Sequence, residues 1–211
     1  MVLKRCAIFL SLFLLAACGT TMKVDDFKSL SPELKLEDYF SGSSKAWGVF
    51  EDRFGNIRTQ FVVDIEGKWD GKTLILEENF RYADGDTEFR KWIIEKTAEN
   101  QYEGTTENVI GVAKGEVAGN AFNWRYDFNL DVGDGDIWKV RFDDWMFLQP
   151  DGVLLNKATV TRWGFKIGTV FISFTKEPQK MAKLVTHSDP ANEDDNVREV
   201  DPVKTKRSVK Q

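Results

Sequence analysis

The sequence holds one histidine, His187, and two cysteines, Cys6 and Cys18. Each scarcity removes a class of chemistry. With no second histidine, Ser-His-Asp and Cys-His mechanisms and histidine-ligated metals are all but excluded, the more so because His187 stands in a C-terminal stretch without aromatic side chains. Cys6 and Cys18 both fall in the first 18 residues, so the remaining chain offers no thiol for a disulfide, a zinc site or a nucleophile. Also missing is the run of roughly 20 apolar residues that crosses a bilayer as a helix. Ala7 to Ala17, broken only by Ser11, is too short.

That short run has another reading. Lys4 and Arg5 precede it and small residues end it, the order of a secretory signal, expected over residues 1–17 and excluded from the fold. Leu15-Ala16-Ala17-Cys18 resembles the bacterial lipobox. The resemblance implies that Cys18 is acylated and becomes the first residue of the mature lipoprotein, a palmitate-type membrane anchor; the alternative is a plain secretory signal with a free Cys18. Each buried methylene adds about 0.8 kcal/mol, so several acyl chains hold a protein stably on a membrane. Thr20 stands after Gly19 where the inner-membrane retention signal of many lipoproteins has Asp, which favours the cell outer membrane, periplasmic face, of a Gram-negative cell. Of 29 basic residues two belong to the leader, leaving 27 against 34 acidic ones and a net charge of −7. That balance argues against nucleic acid as a partner.

What is abundant is alternation. Phe122, Trp124, Tyr126, Phe128 and Leu130 alternate with Asn123, Arg125, Asp127 and Asn129, and only a strand puts those aromatics on one face. The same rhythm recurs from Lys45 to Lys176, divided by turns at Gly55-Asn56, Asp70-Gly71, Asp84-Gly85, Gly119-Asn120, Gly133-Asp134-Gly135 and Asp151-Gly152. Asn100 to Thr106 and Val109 to Val117 are glycine-rich and read as weaker, bulged strands. Ile137 to Phe142 and Asp143 to Leu148 read as successive pieces before the Pro150 turn. About ten strands over roughly 130 residues predict an all-β fold, an antiparallel up-and-down barrel. Residues 18–44 read as a lipid-anchored tether with a short helical or plug segment, in which Ser31-Pro32-Glu33 can start a helical turn and Phe40 to Ser44 form a loop. Residues 45–176 are the barrel. Residues 177–211, with seven acidic and seven basic residues and no aromatic, read as a disordered charged tail.

Trp47-Gly48, Gly67-Lys68-Trp69-Asp70-Gly71, Leu76-Glu77-Glu78-Asn79-Phe80, Arg90-Lys91-Trp92, Asn123-Trp124-Arg125-Tyr126, Asp143-Asp144-Trp145-Met146 and Asn156-Lys157-Ala158 together resemble the DUF3833 family of bacterial lipoproteins over residues 38 to 176. The resemblance implies a lipocalin-like, calycin-type barrel.

All seven tryptophans, Trp47, Trp69, Trp92, Trp124, Trp138, Trp145 and Trp163, fall in the barrel, where such side chains either fill the interior or line a cavity. Charges interrupt the apolar faces. Glu78 is in register with Leu74, Leu76 and Phe80, and Arg90 with Trp92 and Ile94; equal distances from Asp84-Gly85 make the two cross-strand neighbours. They form either a buried structural salt bridge or the polar end of a ligand cavity. Asp143 and Asp144 point to opposite faces, so one at most is internal, free to pair with Arg125, Arg141 or Lys157 or to act as a lone acid. The candidate ligand-binding set is Glu78, Arg90, Trp92, Trp124, Tyr126, Asp144 and Trp145. No catalytic residue, metal ligand or cofactor is assigned: Asp131 to Asp136 lacks the calcium-loop spacing. The expected function is an anchored lipoprotein whose barrel binds an apolar, lipid-derived or fatty-acid-like ligand. Two other classes remain: a non-catalytic envelope interaction or assembly protein with a filled barrel, and a carboxylate-dependent isomerase or hydratase acting on an unsaturated lipid.

Overall fold

The computed structural model describes residues 22–133 and 135–176. The expectations for Cys18, the leader and the C-terminal tail with His187 lie outside them. Ten antiparallel strands run β1 Gly42–Asp52, β2 Ile57–Trp69, β3 Thr73–Tyr82, β4 Thr87–Ala98, β5 Gln101–Thr105, β6 Val109–Ala118, β7 Ala121–Asp131, β8 Ile137–Leu148, β9 Leu154–Arg162 and β10 Phe165–Lys176. Each pairs with its neighbours in sequence and β10 pairs with β1, so the sheet closes on itself. This is the all-β, antiparallel up-and-down barrel expected. Closure leaves no free edge.

The strands differ from the sequence reading where local signals were weak. Ile137 to Leu148 is one strand, because Asp143 and Asp144 continue the alternation without breaking it. Residues Gly42 to Ser44 join β1 and pair with Gly67, Glu66 and Ile65, so the expected Phe40 to Ser44 loop ends at Ser41. The anticipated irregularity in β6 is a register shift between Ile110 and Lys114, around Gly111 at φ 78°. The helical start expected at Ser31-Pro32-Glu33 does not form; the helical pieces are a 3-10 turn, Val24–Phe27, and a five-residue helix α1, Leu36–Phe40.

Those pieces serve different surfaces. Leu34, Leu36, Tyr39 and Phe40 pack into the main core and cap the end of the barrel where β1 begins. Lys96 Nζ donates to Glu37 Oε1 at 2.5 Å and the Tyr102 hydroxyl to Glu37 Oε2 at 2.7 Å, tying α1 to β4 and β5. Val24–Phe27 instead lies against the outside wall, with Phe27 5.9 Å from Trp145 and 5.3 Å from Phe147 between ring centroids.

Inward glycines make room for rings. A Cβ on Gly115 would sit 2.4 Å from Trp124 and 2.5 Å from Phe122, and one on Gly104 2.8 Å from Trp124. The glycines that weaken β5 and β6 as strands therefore let the aromatic face of β7 fold down into the interior.

Candidate functional site

The lumen is lined by the inward faces of β3, β4, β7 and β8, and it is aromatic. Trp92 meets Trp124 at 5.7 Å and Tyr126 at 5.4 Å, both edge-on, while Tyr126 stacks on Phe142 at 5.1 Å. Into this lining project Glu78, Glu88, Arg90 and Asp144. Glu78 and Arg90 are direct cross-strand partners, as the distances from the Asp84-Gly85 turn require. The ion pair, however, is between Arg90 Nη2 and Glu88 Oε1, at 2.7 Å. Glu88 shares its face with Arg90, two residues on, and accepts a second bond from the Tyr82 hydroxyl at 2.6 Å. The Arg90 guanidinium lies over the rings of Phe80 at 4.7 Å and Phe128 at 5.4 Å, reaching from β4 toward β7.

Three carboxyl groups thus face one guanidinium. Burial pushes Glu78 up to about 7, with the attraction of Arg90 too weak to offset it and Glu88 adding repulsion. Burial likewise pushes Asp144 up to about 7, against a hydrogen bond from Tyr126. That bond runs from the Tyr126 hydroxyl to Asp144 Oδ2 at 3.3 Å. The other oxygen, Asp144 Oδ1, is buried without a hydrogen-bond partner, and so is Asn156 Oδ1 on the next strand. A buried acceptor left unpaired costs free energy, so both are poised to take a donor. Arg90 and Glu88 keep 22% and 34% of their side chains accessible, at the end of the barrel beside the Asp84-Gly85 turn.

Of the candidate set, Glu78, Arg90, Trp92, Trp124, Tyr126 and Asp144 come together in this lumen. Trp145 does not. Asp144 points inward, so strand alternation turns Trp145 outward, where Phe27 covers it. Asp143 is likewise external, with Arg125 Nε at 3.3 Å and Asn123 Nδ2 at 2.7 Å. Sequence reasoning missed Glu88, Tyr82 and Asn156. Glu88 was accessible through its two-residue spacing from Arg90; Asn156 had the weaker signal of alternating with Leu154 and Ala158.

A concavity of about 770 Å³ lies on the outer wall across β3, β2, β1, β10, β9 and β8. Its outward side chains include Trp47, Val62, Phe147, Leu155 and Phe171, with Arg81 and Lys157 among them. Outward apolar residues on five consecutive strands, β2, β1, β10, β9 and β8, depart from the simple alternation of apolar inside and polar outside. Among the described residues, no group of three or more His, Cys, Asp or Glu side chains is placed to hold a metal ion.

A closed, up-and-down barrel with a polar cluster enclosed by aromatic rings defines the class of protein. The chain belongs to the family described as "Protein of unknown function (DUF3833)", whose model matches residues 12–176. The match begins inside the apolar run Ala7 to Ala17, well before the residues 38 to 176 that carry the motif resemblance. No curated protein matches the chain. Among solved structures it is similar to the S-type phycobiliprotein lyase CPES from Guillardia theta, with 8% identity and a TM-score of 0.49, covering 68% of this chain and 92% of that one.

Proposed function

We propose that the protein is a lipoprotein, anchored through Cys18 at the periplasmic face of the outer membrane, whose barrel binds an apolar, lipid-derived molecule by its polar end. The observation that carries the binding reading is Asp144 Oδ1, buried without a donor in an aromatic lumen beside Tyr126 and Arg90. Arg90 is already paired with Glu88, and Asp144 and Asn156 present acceptors. The polar end that fits is therefore a hydrogen-bond donor, a hydroxyl, an amide or a protonated carboxyl, in preference to a bare carboxylate. Anchoring is supported by Leu15-Ala16-Ala17-Cys18 and by a family match that spans this stretch. Thr20 supports the outer membrane over the inner one.

A second reading has its own observation. The apolar groove on the outer wall suits an envelope interaction protein that uses its surface and keeps its barrel filled. One experiment separates the two. Purify the chain from Gly19 onward, which contains every strand of the closed barrel, and identify co-purifying small molecules by mass spectrometry. A defined lipid near one per barrel that disappears in Trp124→Leu and persists in Leu155→Ser/Phe171→Ser supports the lumen; the opposite pattern moves binding to the wall. No small molecule with any form sinks the ligand reading and leaves the interaction protein.

A further inference from the structure

At the end of the barrel opposite α1, the β1–β2 and β9–β10 hairpins form one exposed patch. β1 and β10 are barrel neighbours, and the Arg53 N–H donates to the Ile167 carbonyl at 3.0 Å, joining the two tips. On them Phe54 and Phe165 are each 73% exposed and Trp163 is 82% exposed. Basic side chains accompany the rings. The Arg53 guanidinium lies 4.6 Å from the Phe54 centroid, and that of Arg162 lies 4.0 Å from Trp138 and 4.1 Å from Trp163. Lys166 follows on the same hairpin. Arg162 to Lys166 contains no acid; on the other tip Glu51 and Asp52 precede Arg53, and Asp52 is held by Arg58 at 2.6 Å and by the Phe54 and Asn56 amides, so Arg53, Arg58, Arg162 and Lys166 outnumber the two acids. The patch is cationic on a chain of net charge −5.

The backbone adds a second, independent observation. Arg162 pairs with Phe165, so Trp163-Gly164 is a two-residue turn, with φ 52° and 83°. Two positive φ values suit Asn-Gly, whereas a bulky side chain in the left-handed region is strained. Trp163 bears that strain and gains almost no burial in return. Folding therefore gives no reason for an indole here, and strain at an exposed residue points to a function outside the fold.

We infer that this patch docks on an anionic lipid surface. Tryptophan sits well at the headgroup level, with its ring among acyl carbons and its N–H in water, and arginine and lysine beside it meet lipid phosphates. Convex hairpin tips enter an interface and offer no groove for a folded partner. The lumen reading plays no part in this inference.

The test uses the chain from Gly19 to Gln211, without acyl chains or apolar leader, and vesicles of phosphatidylcholine with or without phosphatidylglycerol. The chain is expected to sediment with the phosphatidylglycerol vesicles, and Arg162→Gln/Lys166→Gln is expected to lose that preference. Trp163→Asn is expected to bind at least tenfold more weakly while melting at a higher temperature, since Asn relieves the turn. Opposite signs for binding and stability separate docking from misfolding. No sedimentation with either vesicle, wild-type binding by Trp163→Asn, a lower melting temperature for that variant, or a wild-type dimer that Trp163→Asn makes monomeric would each overturn the inference.

Discussion

Glu78 and Arg90 stand directly opposite each other across β3 and β4, yet the guanidinium pairs with Glu88 on its own strand. A direct Glu78–Arg90 bridge would have held the Glu78 carboxyl ionised. Instead Arg90 leans toward Phe80 and Phe128, and burial raises Glu78 to about 7. Asp144, across the lumen, is raised to about 7 mainly by its own burial. The barrel thus holds two carboxyl groups that are protonated in mild acid and costly to ionise.

The consequence is a pH-dependent stability of definite sign. Both groups have folded-state values above the ordinary 4.5 and 3.8, so the folded chain binds protons that the unfolded chain has released. Stability from them is fully present below about pH 4, falls as pH rises toward 7 and is flat beyond. Glu78→Gln and Asp144→Asn, which cannot ionise, should each gain on the order of 1 to 3 kcal/mol over wild type at pH 8 and little at pH 4. Urea unfolding at the two pH values checks this. An equal effect of each substitution at both would remove the buried-proton account.

Gly115 tests the packing of the aromatic face. A methyl group there meets Trp124 at 2.4 Å and Phe122 at 2.5 Å, rings that are themselves 4% and 1% exposed and cannot step aside. Gly115→Ala should destabilise by about 1 to 3 kcal/mol, the usual cost of overpacking. Gly55→Ala, at a turn with open space around it and φ 85°, should lose stability through backbone strain alone. Near-ultraviolet circular dichroism separates the two: only Gly115→Ala should disturb the tryptophan signal.

The barrel was legible because its signal is repeated. Two-residue alternation between Asp-Gly turns fixed β2 and β3 to the residue, and the Glu78–Arg90 register followed from counting outward from Asp84-Gly85. What was not legible depends on rotamers and on distant segments. Counting placed Arg90 opposite Glu78 but could not say that its side chain turns toward Glu88. The inclusion of both Asp144 and Trp145 in one site conflicted with the alternation that made the barrel readable. Nor does a local pattern reveal that Phe27, more than a hundred positions earlier in the chain, covers Trp145 from outside.

The closed end supplies a contrasting acid. Burial alone would raise Glu37, but bonds from Lys96 and Tyr102 outweigh it and hold the carboxyl below its ordinary 4.5. A depressed acid contributes stability above its unfolded value, which is lost as pH falls through the folded one. Lys96→Met leaves the 8% exposed Glu37 without its cation and should cost about 1 to 3 kcal/mol near neutral pH, less below pH 4. The same variant should speed hydrogen exchange in Leu36–Phe40 before it affects β7 and β8, because Glu37 belongs to α1. Simultaneous loss of protection in both would mean that α1 is part of the barrel's cooperative core.

Phe27 and Trp145 provide the sharpest check on which face each tryptophan occupies. Trp145 is 8% exposed, as buried as a lumen residue, but the cover comes from Phe27 on the outer wall. Phe27→Ala should therefore uncover it, shifting part of the tryptophan emission to the red and costing about 1 to 3 kcal/mol, less than a deep-core truncation because Phe27 is itself partly exposed. Any molecule held in the lumen should be retained, since no lumen side chain has changed. Trp124→Leu inverts the pattern, because Trp124 contacts Trp92, Phe122 and Tyr126 inside the barrel. It should alter lumen binding and leave the Phe27–Trp145 contact intact. If Phe27→Ala released a lumen ligand as readily as Trp124→Leu did, the wall between Asp144 and Trp145 would not separate two independent surfaces, and the barrel would respond to its outer strap as a single unit.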